Sequence, residues 1–349
     1  MEQILPQQPS TIILPCTCAS SPFDHPKADI ILRSSDRVNF RVFKLFLALA
    51  SPLFETMFEL PQPAVETNDN TKDGLPVISM QENRKTLDTF LRFCYPSTLA
   101  EDPSLESLTD IKAILGVARK YSLDLIEKRV CQALANPKVL EAEPLRCFAI
   151  ARNARLKHET ITAARYTLRQ PLIPAWFPEI EMITSSDLLT LLTYHKKCSI
   201  AVASLSLNLD WVKNHYGNLN GGDWSGPDCK CARKSQLTGT IFGPHTPLPS
   251  KTTYMKEIFD LLKDTPSGAI VKLEAGKTIQ KVRSEGCDTC SARVKTCMDE
   301  FSDLLALNVD KATASINLDI DRDFRLPVLP VMGTGNRAPT KPTQPFTFK

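Results

Sequence analysis

The spacing of hydrophobic positions changes repeatedly along the first part of the chain, and each change marks an element. Ala28-Asp29-Ile30-Ile31-Leu32-Arg33 reads as a short buried strand. Ser34 to Arg37 supplies a turn, and Val38-Asn39-Phe40-Arg41-Val42 alternates as the hairpin partner. The stretch from Phe40 to Phe58 carries the heaviest apolar load. Leu45, Leu49, Leu53 and Phe54 lie near helical spacing, and Ser51-Pro52 offers an N-cap and a first-turn proline between them. That combination predicts a strand, a helix, a break and a second helix. Nearly every apolar residue in this stretch is large, which predicts burial on both sides.

Residues 61–75 read as a polar loop, and Pro76-Val77-Ile78-Ser79-Met80 as a third strand. Leu87, Phe90, Leu91, Cys94 and Tyr95 fall at i, i+3, i+4, i+7 and i+8, which predicts an amphipathic helix closed by Pro96. Leu108, Ile111, Leu115 and Ala118 repeat the pattern up to Tyr121, and Leu125 to Leu134 makes another helix. A strand pair, two helices, a strand and three helices predict an α+β domain with a small sheet, not a doubly wound nucleotide-binding sheet.

The remainder predicts helices. Leu145, Phe148, Ala149 and Arg152 share one face, and Ile161, Ala164 and Leu168 another. Pro171 to Pro174 breaks the run. Ser185-Ser186-Asp187 is expected to cap a long helix with Leu188, Leu191, Leu192, His195, Ser199 and Val202 in one stripe. Residues 214–250 are rich in glycine and proline. Tyr254, Ile258, Leu261 and Leu262 restore a helix. After a polar stretch, Gly286 to Cys290 opens a last helix with Val294, Cys297, Phe301, Leu304 and Leu305 inward. Asn308 to Ile320 fits helix or strand equally, and disorder is expected beyond Leu326.

Composition narrows the function classes. A net charge of +3 over 349 residues, with no basic stripe, gives no reason to expect nucleic acid. No apolar run reaches the roughly 18 residues of a membrane span, and the first residues lack the features of a signal peptide. With 11 cysteines and no glycosylation sequon, a reducing intracellular setting, cytoplasmic or nuclear, is expected, where close cysteines bind metal or stay free.

Two cysteine pairs are the candidate metal ligands. Cys229 and Cys231 are one residue apart, and Cys287 and Cys290 have the two-residue gap that lets both sulfurs face one ion. Structural zinc on these four and free thiols are both open readings, with a disulfide a third. His195 and Cys198 sit three apart on one helix and are alternative ligands or simply core. A catalytic zinc would need an open position and a base such as Glu285 or Asp288, which are ordinary residues at a helix start. Ala275-Gly276-Lys277-Thr278 lacks the upstream glycine of a phosphate-binding loop, since Val271 stands there. His158-Glu159 has Thr162 where a zinc-protease helix needs histidine, and no nucleophile elbow occurs. No catalytic residue is assigned. Leu53, Phe54, Met57 and Phe58 are candidates for a partner surface, with two of the four expected inward.

Ala28-Asp29-Ile30-Ile31-Leu32, Phe40 to Lys44, Leu47-Ala48, Ser51-Pro52-Leu53-Phe54, Met57-Phe58 and Leu87 to Tyr95 together resemble the BTB/POZ domain. Arg92-Phe93-Cys94-Tyr95-Pro96, Ala118-Arg119-Lys120-Tyr121 and residues 143–151 are similar to the large BTB-containing family of basidiomycete fungi. The resemblance implies a non-enzymatic protein-interaction domain that self-associates as a homodimer or recruits a protein partner, with a cullin-type ubiquitin ligase adaptor as the alternative. It also implies a charged pocket in which Asp29 is paired with a histidine. Phe43 stands at the histidine position, so Asp29 is expected instead to cap a turn or bond backbone amides. The expected organisation is a mobile segment at 1–26, the BTB/POZ domain at 27–135, a helical extension at 136–213, a cysteine-containing loop and helical region at 214–322, and a disordered tail at 323–349.

Overall fold

The computed structural model describes residues 17–60, 71–171, 176–216, 251–285 and 288–320. Five strands form one mixed sheet: β1 (Thr17–Cys18), β2 (Ile30–Arg33), β3 (Val38–Val42), β4 (Thr71–Lys72) and β5 (Leu75–Ser79). Their order is β1-β3-β2-β5-β4. The β2–β3 hairpin is antiparallel, with Ile31 opposite Arg41 and Leu32 opposite Phe40, as the alternation predicts. β5 returns parallel to β2. Asp73 and Gly74, both at positive φ, make the two-residue turn joining β4 to β5. Glycine suits the second of those positions because it has no Cβ to clash there.

The helices of this region are α1 (Lys44–Ala50), α2 (Pro52–Glu59), α3 (Arg84–Cys94), α4 (Leu108–Lys120) and α5 (Asp124–Leu134). The strand-helix-break-helix reading of residues 40–58 therefore matches the fold. The largest buried side chains, among them Phe23, Phe40, Phe54 and Phe90, fill the space between sheet and helices. Phe23 is fully buried, and its ring meets Phe40 at 5.6 Å and Tyr95 edge-on at 5.2 Å. Residues 17–26, expected as part of a mobile segment, thus supply an edge strand and a core ring. Nothing in the hydrophobic period announces this, because Phe23 stands alone among prolines and polar residues.

Next come α6 (Pro137–Ala142), α7 (Pro144–Asn153), α8 (Lys157–Thr167), a 3-10 turn (Pro178–Met182) and α9 (Ser185–Leu207). α7 buries Leu145, Phe148, Ala149 and Arg152, the face read from the sequence. The N-cap of α9 is Thr184, one residue before the expected Ser185. Its hydroxyl accepts from the Asp187 N–H while the Asp187 carboxylate accepts from the Thr184 N–H, a reciprocal capping box. Asp187 also takes Arg152 Nε at 2.6 Å, which ties α9 to α7. Leu191, His195, Ser199 and Val202 face inward as expected, but Leu192 is exposed.

After α10 (Asp210–Tyr216), α11 (Lys251–Asp264), α12 (Gly268–Glu285) and α13 (Asp288–Ala314) build a second core with the end of α9. Val202, Ile258, Leu262, Val271, Phe301 and Leu305 lie inside it. The stretch read as polar before residue 286 is the helix α12, whose weak amphipathicity hides it. Gly276 and Lys277 lie within that helix, and Lys277 pairs with Glu274 at 2.5 Å, so no phosphate cradle exists there. Gly268 starts α12 against α13, and its N–H donates to Asp310 Oδ1 at 2.9 Å. A Cβ on Gly268 would meet the Ala306 carbonyl oxygen at 2.7 Å, so glycine is required for the close approach. The ambiguous 308–320 stretch is helix to Ala314, turns at Ser315 and Ile316 and is irregular after that. Ile316 and Leu318 then turn back onto the first core, and Ile320 beyond them is buried.

Candidate interaction surface

Ser51 organises the α1–α2 corner. Its buried hydroxyl accepts from the N–H groups of Leu53 at 3.2 Å and Phe54 at 3.3 Å, and donates to the Tyr121 carbonyl at the end of α4. Pro52 follows at the first helical position, where its missing N–H costs nothing. The cap fixes the entry of α2 so that Phe54 points into the domain. There Phe54 stacks on Tyr121 at 4.8 Å and lies 5.9 Å from both Phe90 and Phe58. Burial of a ring of this kind stabilises the fold by roughly 1.5–3 kcal/mol.

Of the four partner-surface candidates, Phe54 is fully buried, Met57 and Phe58 are half-buried, and Leu53 is 42% exposed. The burial expected for the whole stretch does not hold. Leu45 is 62% exposed and Leu49 is 78% exposed, one turn apart on the outer face of α1, with Leu53 close behind at the start of α2. Only Leu47 of α1 is fully buried. The sequence could not distinguish these faces, because α1 is two turns long and carries leucine on both sides. Exposed leucines grouped on adjoining helices are the kind of patch that partner surfaces use.

Asp29 and Phe43 flank this surface. The Asp29 carboxylate accepts from the Lys44 N–H at 2.8 Å, capping α1 from outside because Phe43 has no side-chain acceptor to offer. The Phe43 ring packs edge-on against Phe46 at 5.6 Å and against His25 at 5.4 Å. Its N–H donates to the Tyr95 hydroxyl at 3.2 Å, while burial pushes the Tyr95 phenol up to about 12. Asp29 thus bonds a backbone amide, as expected from the aromatic at position 43.

The metal candidates divide. Cys229, Cys231 and Cys287 lie outside the described residues, and the side chain of Cys290 is not described. Among the described residues, no group of three or more histidine, cysteine or acidic side chains is placed to hold an ion. His195 and Cys198 are both buried in the helical core. Burial pushes the Cys198 thiol up to about 11 and the His195 imidazole down, so both are neutral core residues near neutral pH.

The BTB/POZ domain model matches residues 23–138. A search of curated proteins finds no match. The match begins at Phe23, the ring that closes the first core, and runs past the end of α5. The chain therefore carries a BTB/POZ domain, a protein–protein interaction module, followed by a mostly helical region. Among the described residues no helix is long and apolar enough to cross a membrane.

Proposed function

We propose that this chain is a non-enzymatic interaction protein that forms a homodimer through its BTB/POZ domain, with the α1–α2 corner at the centre of the contact. The observation that carries the reading is the grouping of Leu45, Leu49 and Leu53, each 42–78% exposed, on one corner held rigid by Ser51. Met57 and Phe58, half-buried beside them, widen the patch. Phe54 serves the fold, and Asp29 and Phe43 shape the edge of the contact. A two-fold contact would use each leucine twice, so a compact patch contributes double. Light scattering on the full chain tests this. The expected mass is twice 38.9 kDa, shifting to the monomer in Leu45→Glu/Leu49→Glu with unchanged circular dichroism. A wild-type monomer at 50 µM, or a dimeric variant, overturns it.

Recruitment of a cullin-type ubiquitin ligase is the second reading. It is supported by the helical extension packed directly behind α4 and α5, which lengthens the surface available to a partner helix. Purified cullin retained on the immobilised full chain, against an equally loaded unrelated protein, checks it. The similarity of residues 92–96, 118–121 and 143–151 to basidiomycete BTB proteins supports a fungal relationship.

A further inference from the structure

The sheet has a second face. Ile30, Leu32 and Phe40 point into the first core, so Ile31, Asn39 and Arg41 leave their strands on the other side. The strand order places β1 and β4 at opposite edges. Yet Lys72 Nζ of β4 comes within 3.8 Å of Cys18 Sγ of β1, and Asp73 pairs with Arg41 of β3 at 2.5 Å. The β4–β5 turn therefore folds across this second face. Beneath it is a cavity of about 230 Å³, whose walls include Cys18, Phe23, Ile31, Asn39 and Lys72.

Three side chains in that cavity complement one another. Cys18 is a free thiol on an exposed edge strand. Lys72 donates to its sulfur and forms no ion pair among the described residues. Asn39 is 2% exposed. Its side-chain carbonyl accepts from Arg33 Nε at 2.9 Å, but its Nδ2 has no hydrogen-bond partner among the described residues. Asn39 stands opposite Cys18 in the parallel β1–β3 register, so the two side chains share a face of the sheet. A buried amide donor without an acceptor is costly. A carbonyl oxygen carried into the cavity on the Cys18 sulfur is a group that would satisfy it.

We propose that Cys18 and Lys72 form a self-acylation site for small uncharged acyl thioesters, with Asn39 holding the acyl oxygen. In the first step Cys18 Sγ attacks the thioester carbonyl carbon. The Sγ–C bond forms, the donor's own C–S bond breaks, and the donor leaves as a free thiol carrying the Cys18 proton. In the second step Lys72 Nζ, having released its extra proton to solvent, attacks the same carbon. The Nζ–C bond forms, the Sγ–C bond breaks, and one amine proton passes to Sγ, which restores the thiol. A nitrogen 3.8 Å from the sulfur is already within contact range of a carbon bonded to that sulfur. Such placement replaces a bimolecular encounter with an intramolecular one. Asn39 Nδ2 donates to the carbonyl oxygen, on which negative charge grows in each step. The other walls set the acyl class: Phe23 and Ile31 are apolar, and the Asp24 carboxylate repels an acidic acyl group. Lys72 is consumed once per copy, so the outcome is a modified chain and not a turnover.

Incubation of the full-length chain with S-acetyl-N-acetylcysteamine at mildly alkaline pH, followed by peptide mass spectrometry, tests it. Lys72 is expected to acetylate at least about tenfold faster than the median of the other lysines. Cys18→Ser is expected to remove that advantage. In Lys72→Arg the acetyl group is expected to stay on Cys18 and to be released by hydroxylamine, which cleaves a thioester and spares an amide. Asn39→Asp, which keeps an acceptor for Arg33 and removes the amide donor, is expected to slow Lys72 acetylation by about tenfold or more. Cys18 and Lys72 lie at the rim, so their variants test the relay even if Asn39→Asp does not fold. Acetic anhydride, which acylates amines directly, should label Lys72 equally in the wild type and in Cys18→Ser. Lys72 acetylation no faster than the median, an unchanged rate in Cys18→Ser, or a Lys72→Arg chain without hydroxylamine-labile acetyl on Cys18 overturns the proposal. So does a Cys18→Ser loss that acetic anhydride reproduces. Leu45→Glu/Leu49→Glu should acetylate as the wild type does, so this outcome is separable from that of the dimer test.

Discussion

Arg152 is the residue whose removal should cost the helical region most per atom lost. Its guanidinium is 6% exposed and donates from Nε to Asp187 Oδ1 at 2.6 Å, where the carboxylate is 10% exposed. Replacement by methionine keeps the length and apolar contact of the side chain but leaves the carboxylate buried without its cation. Breaking a buried pair from one side costs about 3–5 kcal/mol. Here Asp187 keeps two other donors, the Thr184 N–H at 2.9 Å and the Thr184 hydroxyl at 2.8 Å. The loss should therefore fall at the low end, about 3 kcal/mol. For a chain of this size that corresponds to a fall in Tm of roughly 6–12 °C. The carboxylate also registers the pairing. Burial alone would push Asp187 up, but the Thr184 bonds and the Arg152 guanidinium outweigh it and hold it below the usual aspartate range. A depressed folded value stabilises above the unfolded one and is lost as pH falls through it, so the Arg152→Met penalty should shrink below pH 4. Urea unfolding followed by circular dichroism, as a double-mutant cycle with Asp187→Leu, measures the coupling directly. A single-variant loss under 1 kcal/mol at pH 7, or additive losses in the cycle, would refute the reasoning.

Phe23→Ala should destabilise the BTB/POZ domain by about 3–5 kcal/mol, since the ring is fully buried between Phe40 and Tyr95; differential scanning calorimetry on the full chain reads the loss. Gly268→Ala should cost about 1–3 kcal/mol, because its Cβ meets the Ala306 carbonyl; an unchanged urea midpoint would count against the close approach of α12 to α13. His195 titrates in the opposite direction to a paired histidine. Burial lowers it, with the Asp264 carboxylate opposing. Below the unfolded value of about 6.5 the unfolded chain takes up a proton that the folded chain refuses, so stability should fall as pH drops below about 6.5. His195→Leu should flatten that part of the Tm-against-pH curve, and an unaltered slope would exclude His195 as its source.

The elements legible from the sequence were those with one apolar face and a clear stop. α3, with Leu87, Phe90 and Leu91 buried between an Asn83 cap and Pro96, is such a case. The β2–β3 hairpin is another, because a one-residue slip would turn its apolar set to the wrong face. The candidate surface is legible only in part. The pattern points outward at Leu53 but inward at Leu45 and Leu49, because a two-turn helix with leucines around its circumference has no preferred inner side until its neighbours are placed. α12 is hidden in the sequence for a related reason: Lys272, Lys277 and Lys281 stand along it, and among its described side chains Val271 and Ala275 are the buried apolar ones. Phe23 and the segment from Ile316 to Ile320 are too short for any period to show, and only the completed core reveals what they touch.

The return of Ile316 and Leu318 to the first core gives the chain the topology of a buckled strap. α9 leaves the first core and enters the second with Val202, and Ile316 and Leu318, after α13, come back to the first. A protease cut anywhere between positions 217 and 250 would then yield two fragments that stay clasped, each holding part of the other's interior. Separating them would require denaturant, because Ile316 and Leu318 would have to leave the first core.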